Sequence, residues 1–266
     1  MFDCFNRRIH YLRISVTDLC NLRCAYCMPE EGIPRIPRAD ILSLEEIRDI
    51  TEAAVELGID KVRLTGGEPL VRRNIVYLVG MLSRVAGVKD LAMTTNGTLL
   101  DAFARPLKDA GLHRLNVSLD TLDPARFREK TRRGDLEDVL RGLEAAKAAG
   151  FERIKINCVV AEHSEEEDAR AVGAFGERHG YEVRYIRSMN LREGSFWTIE
   201  GGDGGNCGAC NRLRLTSDGK VYPCLFNDTH YSVKELGVKA ALLAAAGNKP
   251  ESGHKSENNR FHVMGG

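Results

Sequence analysis

An α/β fold, an incomplete (β/α)6 barrel, follows from three features of the sequence. Short β-like runs alternate with helical ones from residue 9 to about 187, each strand has one polar and one apolar side, and the helical runs stop on single glycines. Strands separated by helices imply right-handed crossovers and a parallel sheet. The elements run in order as follows. A strand over His10–Val16 leads to a helix over Ser43–Leu57, which starts on a Ser43/Glu46 capping box. That helix sets Ile47, Ile50, Ala54 and Leu57 on one face and stops at Gly58. Strands follow at Lys61–Thr65, Leu91–Thr95 and Arg114–Leu119, then a helix at Leu136–Ala149 stopped by Gly150. A strand at Arg153–Val160, a helix at Glu165–Arg178 stopped by Gly180 and a strand at Glu182–Ile186 complete six units.

Side chains on a strand alternate between its two faces. Arg13, Ser15 and Thr17 oppose Leu12, Ile14 and Val16, and Lys61, Arg63 and Thr65 oppose Val62 and Leu64. Arg114, Asn116, Ser118 and Asp120 oppose Leu115, Val117 and Leu119, while Arg153, Lys155 and Asn157 oppose Ile154, Ile156 and Cys158. Crossover helices need an apolar sheet face, so the polar set faces the interior. A self-filled barrel would carry bulky aliphatics there. The cations in this one call for a large anionic ligand.

Residues 1–187 therefore read as the barrel. Residues 188–206, with Gly201, Gly202, Gly204 and Gly205, read as a flexible connection. Residues 207–266 form a small segment that closes the barrel mouth, with a helical run at Ser232–Ala246 and an extended tail from Lys249 onward.

Composition narrows the classes of function. The chain has 266 residues, with 38 Lys+Arg against 38 Asp+Glu, so no net charge draws it to nucleic acid or an anionic membrane. The apolar run Ala240–Ala246 is far short of the roughly 20 residues that cross a bilayer, and residues 1–16 lack a signal-peptide core. A cytoplasmic protein is expected, and there cysteines bind metal or do chemistry rather than pair. Six of the eight form two groups, leaving Cys4 and a Cys158 that reads as a buried hydrophobe.

Cys20-x3-Cys24-x2-Cys27 follows the first strand, on the rim where barrel sites are built. Three thiolates suit zinc with an outside ligand or three irons of a [4Fe–4S] cluster, and the count leaves one coordination position open. Cys207-x2-Cys210-x13-Cys224 offers a second such set, with His230 as the nearest outside ligand. Zinc and iron–sulfur are even for that set alone, and two three-cysteine sets in one chain favour two clusters. Arg212 and Arg214 place positive charge between its cysteines.

The run Arg13-Ile-Ser-Val-Thr-Asp-Leu-Cys20-Asn-Leu-Arg-Cys24-Ala-Tyr26-Cys27 resembles the signature of radical S-adenosylmethionine (SAM) enzymes. Within them, the chain resembles the GTP 3′,8-cyclase family of molybdenum cofactor biosynthesis. The likeness continues through Lys61-Val-Arg63-Leu-Thr65-Gly66-Gly67-Glu68-Pro69, Thr94-Thr-Asn-Gly97, Asn116-Val-Ser118-Leu-Asp120, Cys207-Gly-Ala-Cys210-Asn-Arg212-Leu-Arg214 and Gly265-Gly266. The resemblance implies two [4Fe–4S] clusters and SAM. Cys20, Cys24 and Cys27 would ligate the cluster that cleaves SAM to a 5′-deoxyadenosyl radical. Tyr26, Gly66, Gly67, Ser118 and Met189 would hold SAM itself. Cys207, Cys210 and Cys224 would hold the second cluster, against the purine.

The resemblance also implies GTP as substrate. Arg13, Lys61, Arg63, Thr94, Lys155, Arg184, Arg212, Arg214, Gly265 and Gly266 would line its site, with Arg13 the catalytic arginine supporting the aminyl radical. It further implies a reducing electron donor and hand-off of product to a cyclic pyranopterin monophosphate synthase. Neither nucleic acid nor membrane is an expected partner.

The chain departs from the family at Arg187, where an acid is usual, and at Asn190–Arg192, where a Pro-Val-Gly turn is usual. Only a short connection joins Met189 to Cys207, where the family carries several tens of residues more. Two other readings have tests of their own. One is a radical enzyme acting on another nucleotide or on a peptide, of the sulfatase-maturing type. The other is a zinc or electron-transfer protein that is not an enzyme.

Overall fold

The computed structural model describes residues 1–257 and 261–264. Its strands are β1 (Tyr11–Ser15), β2 (Lys61–Thr65), β3 (Asp90–Thr95), β4 (Arg114–Ser118), β5 (Ile154–Val160), β6 (Glu182–Arg187), β7 (Arg212–Leu215), β8 (Lys220–Tyr222) and β9 (Tyr231–Ser232). The helices are α1 (Leu44–Glu56), α2 (Ile75–Ser83), α3 (Leu100–Asp109), α4 (Pro124–Thr131), α5 (Leu136–Ala148), α6 (Glu167–His179), α7 (Val233–Leu236), α8 (Val238–Gly247) and α9 (Phe261–Met264).

The strands make one open sheet in the order β6-β5-β4-β3-β2-β1-β7-β8-β9. Strands β1 to β6 pair parallel, as the intervening helices require. The sheet does not close, so the barrel is partial. Strand β7 adds to β1 in parallel, with Tyr11 opposite Arg212 and Arg13 opposite Arg214. The C-terminal segment thus extends the barrel's own sheet, continuing through antiparallel β8 and β9.

The apolar face of the strands is the main core. Leu12, Ile14, Val62, Leu64, Leu115, Val117, Ile156 and Cys158 are fully buried against the helices. Each large aliphatic placed there stabilises the fold by about 1.5–3 kcal/mol. Helix α1 begins on the expected capping box: Glu46 N donates to Ser43 Oγ at 3.1 Å and Ser43 N to Glu46 Oε2 at 2.7 Å. The helical run expected over Ser232–Ala246 is split at Gly237 into α7 and α8.

The glycine-rich connection is packed rather than loose. It pairs with the free edge of β6, where Tyr185 N donates to Glu200 O at 3.1 Å and Glu200 N to Tyr185 O at 3.2 Å. A Cβ on Gly205 would stand 1.9 Å from Trp197 O, so only glycine fits. Arg187 stacks on the Trp197 ring at 3.9 Å. Leu191 joins Tyr222, Leu225, Phe226 and Met264 in a second, smaller core. That core fastens the tail, expected to be extended, across the C-terminal ends of the strands.

Candidate functional site

The first cysteine group hangs on a loop whose start is clamped by the end of β2. Gly67 N donates to Thr17 O and Glu68 N to Leu19 O, both at 2.8 Å. A Cβ on Gly67 would lie 2.3 Å from Leu19 O, and one on Gly66 2.7 Å from Thr17 O. The two glycines are thus needed for backbone to lie on backbone, just before Cys20. Farther along, Arg23 Nη1 donates to Cys20 O at 2.8 Å and Arg132 Nη1 to Met28 O at 3.0 Å. Tyr26 Oη donates to Asp120 Oδ2 at 3.1 Å, tying the loop to the end of β4.

Burial, then repulsion from the other cysteines and, for Cys24, from Asp120, pushes the Cys24 and Cys27 thiols up to about 12. A bound cation would reverse that cost, because coordination deprotonates thiols outright. Among the described residues no three Cys, His, Asp or Glu side chains converge as the ligands of one metal ion do. The cysteines of a [4Fe–4S] cluster take separate irons and stand wider apart than a zinc cage. The donor set fits a cluster of that type.

The second group lies past the other edge of β1. Cys210 N donates to Cys207 O at 3.1 Å in a tight turn, and Phe226 N donates to Cys224 Sγ at 3.4 Å. The buried Arg7 fixes this turn by donating to Cys207 O at 2.7 Å, to Glu251 O at 2.9 Å and to Pro250 O at 2.6 Å.

Between the groups is a cavity of about 600 Å³. Its wall holds all six cysteines together with Arg13, Tyr26, Lys61, Arg63, Gly66, Gly67, Thr94, Ser118, Arg184, Met189, Arg212 and Arg214. Sheet register explains this gathering: Arg13 is opposite both Arg63 and Arg214, Thr94 opposite Asn116, and Arg184 opposite Asn157. Arg13, Arg63, Asn116 and Asn157 share the polar face read from strand parity, and the register adds Thr94, Arg184 and Arg214 to it.

Burial, then the neighbouring guanidinium charges, lowers Arg13 to about 9, against a raising influence from Tyr11; burial and Arg212 lower Arg214 to about 10. Both stay charged at neutral pH, so the cavity stores repulsion that an anion relieves. Arg63 Nε, Arg212 Nε and both amide atoms of Asn116 are buried with no hydrogen-bond partner among the described residues. A polar ligand would satisfy them.

Of the expected residues that the structure describes, Lys155 differs in placement from the rest. Lys155, near the start of β5, hydrogen-bonds Glu182 and is absent from the cavity wall. Arg184 donates to the same Glu182 oxygen at 3.1 Å. Gly265 and Gly266 lie outside the described residues. The tail just before them is in the site: Arg214 Nη1 donates to Met264 O at 2.9 Å, and His262 Nδ1 stands 3.3 Å from Cys27 O.

Three wall residues escape the sequence reading. Glu68 is 1 % exposed and accepts from Leu70 N, Asn96 N and Thr95 Oγ1, leaving a carboxyl suited to a cationic group. Asn116 was visible in the inward phase of its strand but has no charge to single it out. Tyr11 shares the phase of Arg13, and its ring lies 5.0 Å from Lys61 Nζ and 5.7 Å from the guanidinium carbons of Arg63 and Arg212. An aromatic ring among cations was the available signal.

The family described as the radical SAM superfamily matches residues 14–175. A GTP 3′,8-cyclase of Alkaliphilus oremlandii is 38% identical, covering 100% of this chain and 100% of the relative. One of Thermodesulfovibrio yellowstonii is 40% identical over 92% of this chain and 89% of its own. Among solved structures, Streptococcus suis SuiB bound to precursor peptide SuiA superposes with a TM-score of 0.68 at 16% identity, over 91% of this chain and 66% of SuiB. Native anSMEcpe with bound AdoMet gives 0.64 at 15% identity, over 91% of this chain and 81% of its own. At such identities the last two speak for the fold alone.

Proposed function

The chain belongs to the radical SAM superfamily and, within it, to the GTP 3′,8-cyclase family, and from that membership we propose that its cavity binds GTP and converts it to (8S)-3′,8-cyclo-7,8-dihydroguanosine 5′-triphosphate in molybdenum cofactor biosynthesis. The observation that carries the substrate is the inward array of Arg13, Arg63, Arg212 and Arg214 between two cysteine groups. A triphosphate brings about four negative charges, which arginine meets by paired hydrogen bonds and lysine as a point charge.

Cys20, Cys24 and Cys27 would hold the [4Fe–4S] cluster, with Tyr26, Gly66, Gly67, Ser118 and Met189 around SAM. Cys207, Cys210 and Cys224 would hold a second cluster facing the base. When bound, the first cluster and SAM supply reductive cleavage and with it hydrogen-atom abstraction from the ribose. The chain's own part is orientation and exclusion of water. Arg13, pinned between Arg63 and Arg214, would support charge at the base during ring closure. The tail residues Phe261 and His262 cover the site beside Cys27. A reducing electron donor and hand-off to a cyclic pyranopterin monophosphate synthase complete the proposal. Among the described residues no helix is long and apolar enough to cross a membrane.

Anaerobic turnover with dithionite, SAM and GTP tests the reading. It should yield 5′-deoxyadenosine and the cyclised nucleotide in equal amounts. 5′-Deoxyadenosine without consumption of GTP would refute GTP as the substrate.

A further inference from the structure

The chain leaves α8 through Lys249, which is 2 % exposed and turned in beneath the second cysteine group. Its Nζ donates to Arg212 O at 2.9 Å and to Pro223 O at 2.5 Å. The first carbonyl lies two residues after Cys210 and the second immediately before Cys224. Lys249 shares the cavity wall with Cys210 and Cys224. Among the described residues no carboxylate pairs with this charge.

Backbone contacts fix Lys249 at this place. Its backbone N donates to Ala246 O at 3.2 Å, and Arg7 grips the carbonyls of the next two residues. A buried ammonium with only neutral acceptors is costly, and a neighbouring anion offsets that cost.

We propose that Lys249 is the tuning residue of the second cluster: a fixed buried cation that balances the Cys210 thiolate and raises the cluster's reduction potential. The inference rests on the second group holding a [4Fe–4S] cluster. An electron added beside a fixed positive charge is stabilised. Lys249 touches neither nucleotide nor SAM in this role. It acts through the cluster.

The test is a redox titration, followed by electron paramagnetic resonance (EPR), of the anaerobically reconstituted full chain and of Lys249→Met and Lys249→Arg. Lys249→Met should lower the reduced-to-oxidised ratio of the second cluster at least tenfold at fixed potential, about 59 mV for a one-electron couple. The first cluster's potential should not move, and Lys249→Arg should stay near wild type. Unchanged potential in Lys249→Met, with about eight irons per chain, overturns the inference and leaves the second cluster standing. If Lys249→Met loses the second cluster's iron while Lys249→Arg keeps it, the charge is needed even to hold the cluster, which supports the inference. Equal loss in both variants means shape alone matters and overturns it. About four irons in wild type would overturn the second cluster, and this role with it.

Discussion

At the scale of single residues the proposed function divides the work between the two cysteine groups. Cys24→Ser should abolish cleavage of SAM, whereas Cys210→Ser should retain some cleavage while losing the cyclised nucleotide. Assay of 5′-deoxyadenosine and product in the two variants checks this, and identical behaviour would refute the division. Glu68 makes a separate prediction about the apoprotein. Burial raises its carboxyl to about 7, above an ordinary 4.5, against the hydrogen bonds that favour its charged form. The folded state therefore holds this proton more tightly than the unfolded chain. Its contribution is fully present below about pH 4.5, is lost as pH rises toward 7, and amounts to at most about 3 kcal/mol. Thermal melts of Glu68→Gln apoprotein should lack that decline across the window. A slope equal to wild type would show that Glu68 is not the group responsible.

At the scale of elements, what could be read in the sequence had a local chemical signature. Helix α1 was legible from Ser43 and Glu46, and α5 and α6 from their glycine stops. Helix α2 was not, because it is apolar almost throughout and its N-cap, Asn74, makes no side-chain capping bond. Helix α3 starts at Leu99 without a cap and contains Pro106. Strand β7 is only four residues long, and its partner β1 lies about 200 positions earlier, a pairing no local pattern reveals. The β2-to-loop joint carries its own test. Gly67→Ala forces a Cβ against the Leu19 carbonyl and must displace the Cys20 loop, at a cost of roughly 1–3 kcal/mol. After reconstitution that variant should carry iron at the second group and little at the first. A full complement at both would show that the joint tolerates a side chain.

Across the whole molecule, a net charge of zero conceals strong segregation. Cations gather on the inward strand face, and the carboxylates there, Asp90 and Glu182, are taken up by Arg114 and by Lys155 with Arg184. Strand parity made this inward set legible from sequence alone. The roof was not legible, because it is assembled from three distant pieces. These are the glycine-rich connection, β8 and the tail, joined through Leu191, Tyr222, Phe226 and Met264. The short stretch before the second cysteine group packs against β6 and covers the cavity.

The central claim is one cavity shared by two clusters and one nucleotide. EPR of the dithionite-reduced protein, with and without GTP, tests it most directly. The account predicts two superposed cluster signals, of which GTP perturbs the one that survives in Cys24→Ser and not the one that survives in Cys210→Ser. A single signal, or two signals that GTP leaves unchanged, would contradict it.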